Sequence, residues 1–337
     1  MELLSCFKGL QKKTPIWFMR QAGRYLPEYR KLREQCPDFI KFCLNFSLIQ
    51  EATLQPLKRF DLDAAIIFSD ILVIPYALGQ KTWFEGGVGP QLESYKESLQ
   101  WETDLSILSP LYEGIKSVRK ELASDKALIG FSGSPYTLAC YMIEGKTSRT
   151  FGEAKRWAFE NPERMDSLLS NLAQVTTRHL VNQLKAGCNV IQIFDSWAST
   201  VPDAYVEKWL IFPLQFIVKE IRKSFSRVPI IAFPKDLGDW IPEYVSSSEI
   251  DGVSVSSSER IEKLLSHLPD SCVIQGGLDP YLLVAGGKAM EEDINRLIKL
   301  TKDRRYIFNL GHGIVPETPI ENVQRAINLV RERGNIS

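Results

Sequence analysis

The 337-residue sequence lacks several features that mark particular classes of protein. It has no surplus of positive charge, because 41 Lys and Arg residues balance 41 Asp and Glu residues, so we expect it not to bind nucleic acid. It has three histidines and six cysteines with no C-x-x-C pair, which predicts reduced thiols and no metal site. An anionic ligand must therefore be bound by a local cluster of basic side chains.

Long apolar segments are also absent. The most apolar stretch, residues 63–79, is interrupted by Asp70 and Pro75 and is too short to span a bilayer. The first ten residues, MELLSCFKGL, have no basic region followed by an apolar core, so we expect no signal peptide. With 44% hydrophobic and 24% charged residues, the composition is that of a globular protein. We expect a soluble, cytoplasmic protein that does not contact membranes.

Eight short apolar runs predict the fold, and helical periodicity separates most of them. This alternation predicts an α/β protein whose parallel sheet is covered by helices, and eight units favour a single (β/α)8 TIM-type barrel over an open doubly wound sheet. No linker divides the chain, so we predict one domain over residues 1–337, with residues 86–101 as an irregular excursion. The eight runs are Pro15–Met19, Ala64–Phe68, Ala127–Phe131, Val190–Phe194, Pro229–Phe233, Gly252–Val255, Cys272–Gln275 and Tyr306–Leu310.

The residues that directly follow these runs are mostly polar or glycine. They include Arg20, Asp70, Ser196, Lys235 and His312. In a barrel the functional groups lie on the loops at the carboxyl ends of the strands. The sequence therefore predicts a common cleft at that end, although single strand ends are often polar without any function.

Basic and acidic side chains at the first two strand ends are candidate ligand contacts. Arg20 and Arg24 are four residues apart and would share a face if the segment were helical, where two guanidinium groups could bind carboxylates. Asp70 is embedded in apolar sequence. Its carboxylate must therefore form a buried ion pair or accept hydrogen bonds from cationic or N–H groups of a ligand, and both interpretations stay open.

Two later segments supply further candidates. Ser134 and Gly145 are predicted to begin and end a helix, which would place Tyr141 near the barrel mouth, either in the core or at the site. His312 stands between two glycines, which favours a tight turn. This loop is predicted to contact the ligand, with phosphate binding as the rival interpretation.

Five segments of this chain resemble the uroporphyrinogen decarboxylase family, and the resemblance covers essentially the whole sequence. It implies a distorted barrel, a homodimer, and decarboxylation without metal or cofactor. The implied reaction converts the four acetate side chains of uroporphyrinogen to methyl groups and gives coproporphyrinogen in haem and porphyrin biosynthesis. The segments are PIWFMRQAGRYLPE (15–28), FSDIL (68–72), GFSGSPYTLACYMIEG (130–145), IFDSW (193–197) and NLGHG (309–313).

The resemblance also implies which residues form the site. Asp70, Arg20 and Tyr141 are the implied catalytic residues. The implied substrate-binding residues are Arg20, Gln21, Ala22, Gly23, Arg24, Asp70, Tyr141, Ser196 and His312.

Two alternative functions stay open from the sequence. Departures from the family pattern near Ser199, Asp236 and Ser254 allow a catalytically impaired porphyrinogen-binding protein. A zinc-dependent corrinoid methyltransferase of the same superfamily would need a His and Cys cluster late in the chain, and Cys272 has no such partners in the sequence.

Overall fold

Seven parallel strands form the central sheet of the protein, whose computed structural model describes residues 1–335. The sheet order is β1-β4-β5-β6-β7-β8-β9, so neighbouring strands follow one another along the chain. Each of these strands overlaps one of the eight predicted runs. The strands of the described residues are β1 (Ala64–Ile66), β2 (Thr82–Glu85), β3 (Gly89–Leu92), β4 (Ala127–Gly133), β5 (Val190–Asp195), β6 (Ile230–Pro234), β7 (Gly252–Val255), β8 (Val273–Gly276) and β9 (Tyr306–Ile307).

The first predicted run, Pro15–Met19, is not a regular strand, although it occupies the eighth position of the barrel. The carbonyl of Pro15 accepts from the Phe308 N–H (2.8 Å), and the carbonyl of Ile16 accepts from the Asp63 N–H (2.8 Å). The segment thus lies between β9 and β1 and closes the barrel. Pro15 has no N–H to donate, and the Ile16 N–H is bound by the Asp63 side chain at 2.8 Å instead of a neighbouring carbonyl. The prediction of eight regular strands is therefore wrong in this segment.

Helices connect the strands and cover the outside of the sheet, as the alternating pattern predicted. The connection after β5 becomes a regular α-helix only at residue 212, because a π-helical turn, Glu207–Ile211, precedes it. The α-helices of the described residues are α1 (Glu2–Cys6), α2 (Pro27–Glu34), α3 (Phe39–Cys43), α4 (Phe46–Arg59), α5 (Val73–Ala77), α6 (Ser109–Glu121), α7 (Pro135–Glu144), α8 (Gly152–Glu160), α9 (Pro162–Ala186), α10 (Phe212–Ser224), α11 (Ile241–Ser248), α12 (Ile261–Leu265), α13 (Pro280–Ala285), α14 (Gly287–Leu300) and α15 (Ile320–Arg333).

The interior of the barrel is filled by side chains. Leu3 and Cys6 of α1 are fully buried against the inward-facing residues of the strands. Farther along the interior, Gln275 accepts from the Trp17 indole N–H (2.8 Å) and donates to Gln192 (3.0 Å) and Ser254 (2.6 Å). These buried polar groups satisfy one another, so the interior is a packed core and not a channel.

The predicted irregular excursion is partly regular. Strands β2 and β3 pair as an antiparallel hairpin from Thr82 and Leu92 to Glu85 and Gly89, so the prediction of an irregular segment is wrong for residues 89–92. The hairpin stands over the carboxyl ends of the parallel strands, where its tip lines the cleft described below. None of the helices within residues 1–335 is both long enough and apolar enough to cross a membrane.

Candidate active site

A cleft of about 1170 Å³ opens at the carboxyl ends of the parallel strands. This volume is larger than that of a usual small-molecule site, and a phenylalanine from each of three adjacent strands lines the cleft. All nine residues predicted for the site also lie on its wall, which brings together segments far apart in the sequence. Those nine are Arg20, Gln21, Ala22, Gly23, Arg24, Asp70, Tyr141, Ser196 and His312.

The segment from Arg20 to Arg24 forms turns and not the helix on which the shared-face argument depended. Arg20 has φ 59°, a left-handed conformation that interrupts any helix at this point. Gln21 is buried and ties the turn to the barrel, because its side chain donates to the Ala64 carbonyl (3.1 Å) and accepts from the Phe18 N–H (3.1 Å). The first helix of this region is α2, which begins at Pro27.

The glycines beside His312 make room for neighbouring segments. A Cβ atom at Gly313 would lie 2.6 Å from Cγ of Arg20, and one at Gly311 would lie 2.8 Å from the Ser256 carbonyl carbon. Both distances are too short for a real Cβ atom, so a side chain at either position would force its neighbours to move. The Gly-His-Gly pattern therefore allows the Arg20 side chain to cross directly over the His312 loop.

No carboxylate lies within 4 Å of the Arg20 or Arg24 guanidinium among residues 1–335. By contrast, nearby Arg30 donates to the carbonyls of Arg24 (2.7 Å) and Tyr25 (3.1 Å). Burial lowers the pKa of Arg20, and the nearby Asp70 carboxylate opposes that shift. Two guanidinium groups thus face the cleft without internal anionic partners.

Asp70 lines the cleft on the loop that follows β1. Its Oδ1 atom accepts from the Leu72 N–H at 2.9 Å, and no Lys, Arg or His nitrogen of the described residues is within 4 Å of the carboxylate. The interpretation that Asp70 forms a buried ion pair is therefore wrong. Burial raises the pKa of Asp70, whereas the Leu72 N–H and the charge of Arg20 lower it. The carboxylate remains available to accept hydrogen bonds from a ligand.

Helix α7 presents Tyr141 to the cleft. As predicted, Ser134 caps the helix by accepting from the Thr137 N–H (3.2 Å), and Gly145 ends it at φ 77°. Behind the cleft wall, buried Asp195 accepts from the Ser134 hydroxyl at 2.5 Å and from the Thr137 hydroxyl at 3.2 Å. Burial raises the pKa of Asp195 to about 6. This carboxylate therefore anchors the start of α7 and does not line the cleft.

Tyr141 is held by aromatic packing. Its ring meets Phe151 edge-on at 5.7 Å between centroids and Trp197 at 6.0 Å. Burial raises the pKa of Tyr141, although Thr147 and Trp197 beside the phenol lower it. Ser196 precedes Trp197 and lines the same side of the cleft. Two hydroxyl groups on this wall can therefore donate hydrogen bonds to an anionic ligand.

His312 is uncharged in this setting. Burial lowers its pKa to about 4, and the positive charges of Arg20 and Lys235 act in the same direction. Its ring packs 6.5 Å from the ring of Phe233, measured between centroids. At neutral pH the imidazole can exchange hydrogen bonds with a ligand, but it carries no proton that it could release as an imidazolium acid.

Sequence reasoning missed the apolar floor and the hairpin wall. Phe131, Phe194 and Phe233 lie on adjacent strands, and their rings follow one another at 5.6 Å and 6.5 Å between centroids. Each phenylalanine stands near the carboxyl end of its apolar run, so aligning the runs could have identified them. The tip of the β2–β3 hairpin, with exposed Val88, had no such signal.

Comparisons with known proteins agree with the resemblance seen in the sequence. The family model described as uroporphyrinogen decarboxylase matches residues 3–333. Proteins named uroporphyrinogen decarboxylase are 42% identical to this chain in Rickettsia bellii, covering 98% of this chain and 99% of the relative, and 42% identical in Rhodospirillum rubrum, covering 94% and 92%. A solved methyltransferase structure from Methanosarcina mazei has a TM-score of 0.77 at 18% identity, over 98% of this chain and 97% of that one, and so supports the fold alone.

Proposed function

The chain belongs to the uroporphyrinogen decarboxylase family, and we propose that its cleft removes carbon dioxide from the four acetate side chains of uroporphyrinogen without a cofactor. The similarity to relatives bearing that name extends over nearly the full length of both proteins. The observation that carries the proposal is the arrangement of Arg20 and Arg24 without internal partners above an unpaired Asp70 carboxylate. A ligand with many carboxylates and a ring that becomes positively charged needs these groups.

The reaction requires a place for the electron pair left by carbon dioxide. A proton added to the pyrrole carbon beside an acetate arm makes the ring cationic. The bond between the carboxylate and its CH2 group then breaks, its electrons enter the ring, and carbon dioxide leaves. A second proton converts the exocyclic methylene to a methyl group, and loss of the first proton restores the pyrrole. The substrate itself thus serves as the electron sink.

Asp70 stabilises the cationic ring in this proposal. Its carboxylate accepts hydrogen bonds from the pyrrole N–H groups and lies where positive charge develops. A fixed anion that interacts more strongly with the transition state than with the neutral substrate accelerates the chemical step. The Leu72 N–H keeps the carboxylate oriented before the substrate arrives.

Two arginines and two hydroxyl groups bind the substrate carboxylates in this proposal. Arg20 and Arg24 form charge-assisted hydrogen bonds to them, and Tyr141 and Ser196 donate hydroxyl hydrogen bonds from the facing wall. His312 contacts the substrate as a neutral imidazole, because its low pKa leaves it uncharged at neutral pH. The proton that enters the ring therefore comes from water or from a substrate carboxylic acid, since a guanidinium holds its protons too tightly.

Incubation with uroporphyrinogen tests the proposal directly. The products are oxidised to porphyrins and separated by carboxyl number. We expect successive species with seven, six, five and four carboxyl groups, as the loss of four acetate carboxyls requires. Binding of uroporphyrinogen without any loss of carboxyl groups would instead identify the porphyrinogen-binding alternative, which the similarity to named decarboxylases does not favour. A zinc-dependent methyltransferase is not favoured for the same reason.

We also propose a homodimer that uses an aromatic surface patch, defined as Phe159, Tyr205, Trp209 and Phe212. Phe159 and Phe212 are 48% and 56% exposed. The rings of Tyr205 and Trp209 lie 4.4 Å apart, and both pack against the Phe159 ring. Exposed aromatic clusters are typical of protein interfaces. Sedimentation of the wild type and of Phe212→Asp would test this, with a shift to monomer expected in the variant.

A cytoplasmic location is part of the same proposal. The six cysteines are all free thiols, which fits a reducing compartment. Cell fractionation would test it, with the protein expected in the cytosolic fraction.

A further inference from the structure

A four-residue cluster at the cleft, which we term the Lys235 clamp, consists of Lys235, Asp236, Ser256 and Ser258. Lys235 follows β6 and lines the cleft with 27% of its side chain exposed. Its ammonium lies 2.8 Å from Oδ2 of Asp236. The other oxygen, Oδ1, accepts from the hydroxyls of Ser256 (2.6 Å) and Ser258 (2.5 Å), which come from the loop after β7. Each oxygen of the aspartate thus has a different kind of partner.

The clamp holds its aspartate in an unfavourable backbone conformation. Asp236 has φ 54°, a left-handed conformation that is unfavourable for a residue with a side chain. Such a conformation persists only where surrounding contacts over-determine it. Here the two serine hydroxyls and the Lys235 ammonium supply those contacts. Because the serines occupy Oδ1, the second oxygen is directed at the ammonium.

Lys235 is available to a ligand despite its ion pair. An ammonium has three N–H donors, and Asp236 is the only residue within the described chain that accepts from it through a side chain. The positive charge also lies close enough to His312 to lower the pKa of that imidazole together with Arg20. All three residues line the cleft: the Arg20 side chain lies against Gly313, and the His312 ring packs on Phe233, two residues before Lys235.

We propose that Lys235 is a further cationic anchor for a substrate carboxylate and that Asp236, Ser256 and Ser258 are positioning residues that hold its ammonium at the cleft. This rests on the proposed function, because it assigns a partner to one carboxylate of the same octa-acid. Eight carboxylates exceed what Arg20 and Arg24 can bind in bidentate fashion. A carboxylate on the Lys235 wall would otherwise be desolvated without a cation.

Removal of the charge tests the anchor. We expect Lys235→Met to raise KM for uroporphyrinogen about tenfold, which corresponds to one charge-assisted hydrogen bond, and to leave kcat within about twofold. Lys235→Arg should recover most of the affinity, because the charge is kept. Lys263→Met is the matched control, since Lys263 forms a similar ion pair with Asp239 (2.6 Å) away from the cleft. We expect that control to keep the wild-type KM.

The serines test the positioning. The double change Ser256→Ala with Ser258→Ala should raise KM about threefold in the wild type and have no further effect in Lys235→Met, because residues that act through one another are not additive. Full additivity would overturn the positioning role, and a wild-type KM in Lys235→Met would overturn the anchor. Equal impairment by Met and Arg would also overturn it, since the loss would follow shape and not charge. An inactive wild type would refute the proposed function itself.

Discussion

Replacement of Asp70 by asparagine is the most direct test of the proposed mechanism. Asparagine keeps the size of the side chain and an oxygen that can still accept from the Leu72 N–H, now 2.9 Å from the carboxylate. The turn after β1 should therefore remain intact. What the variant loses is the negative charge, and we expect the chemical step to slow while the protein stays folded.

The magnitude follows from the charge pair that is lost. A carboxylate about 4 Å from a cationic ring gains about 4 kcal/mol at an effective dielectric constant of 20. If that gain were felt only in the transition state, its loss would lower kcat about a thousandfold. Part of it is already felt by the neutral pyrrole N–H groups in the ground state. We therefore expect Asp70→Asn to lower kcat by at least about a hundredfold.

The assay follows carboxyl loss from uroporphyrinogen under single-turnover conditions, so that product release does not mask the chemical step. Asp279→Asn is the matched control, because Asp279 accepts from the N–H two residues later in the same way, at 2.7 Å, and is not part of the cleft. The control should have wild-type activity. A folded Asp70→Asn variant with near-normal single-turnover rates would refute the role of Asp70.

Three further perturbations probe the surroundings of the site. His312→Gln should weaken substrate binding but leave the pH profile of kcat/KM unchanged between about pH 6 and 8, because that parameter reports the free protein, in which the His312 pKa of about 4 lies below that range; a displaced inflection in kcat/KM would contradict this. Gly313→Ala should lower kcat/KM about tenfold with little change in melting temperature, since the new Cβ displaces the Arg20 side chain; unchanged kinetics would show that Arg20 can move without consequence. In the folded protein Asp195 has a pKa of about 6, above its ordinary value of 3.8. The folded state therefore binds this proton more tightly than the unfolded state, and the stabilisation is present below about pH 4 and is lost as the pH rises to about 6. The resulting decrease in the free energy of unfolding is about 3 kcal/mol. Urea unfolding of Asp195→Asn should lack this part of the pH dependence, and identical pH dependence in the variant and the wild type would argue against a raised pKa.

The barrel could be predicted from the sequence because its strands are buried on both faces. Such strands are short, continuous apolar runs, and seven of the eight runs overlap one. The first run is not a regular strand, because some of its backbone N–H groups are bound by side chains from distant positions in the sequence. The N–H groups of Ile16 and Met19 are bound by Asp63 and Asn309, and no local pattern reports such pairing.

The nine residues predicted for the site line one cleft, but their roles stay predictions, and the phenylalanine floor and the hairpin tip were not predicted. The assumption of a helix from Arg20 to Arg24 was wrong. A spacing of four residues places two side chains on one face only if the backbone between them is helical. The backbone of Arg20 is left-handed, so the spacing of Arg20 and Arg24 does not have that meaning here. The Lys235 clamp was likewise hidden, because its aspartate and serines lie in two loops that only the closed barrel brings together.

Closure of the barrel makes the site depend on segments that are far apart in the sequence. The segment that completes the ring binds Phe308, near the end of the chain, and Arg20 follows that segment at once. The backbone before Arg20 is therefore held by the last strand of the sheet and by the residues after it. We expect a chain shortened before β9 to be inactive, because the Arg20 guanidinium would no longer be fixed at the cleft.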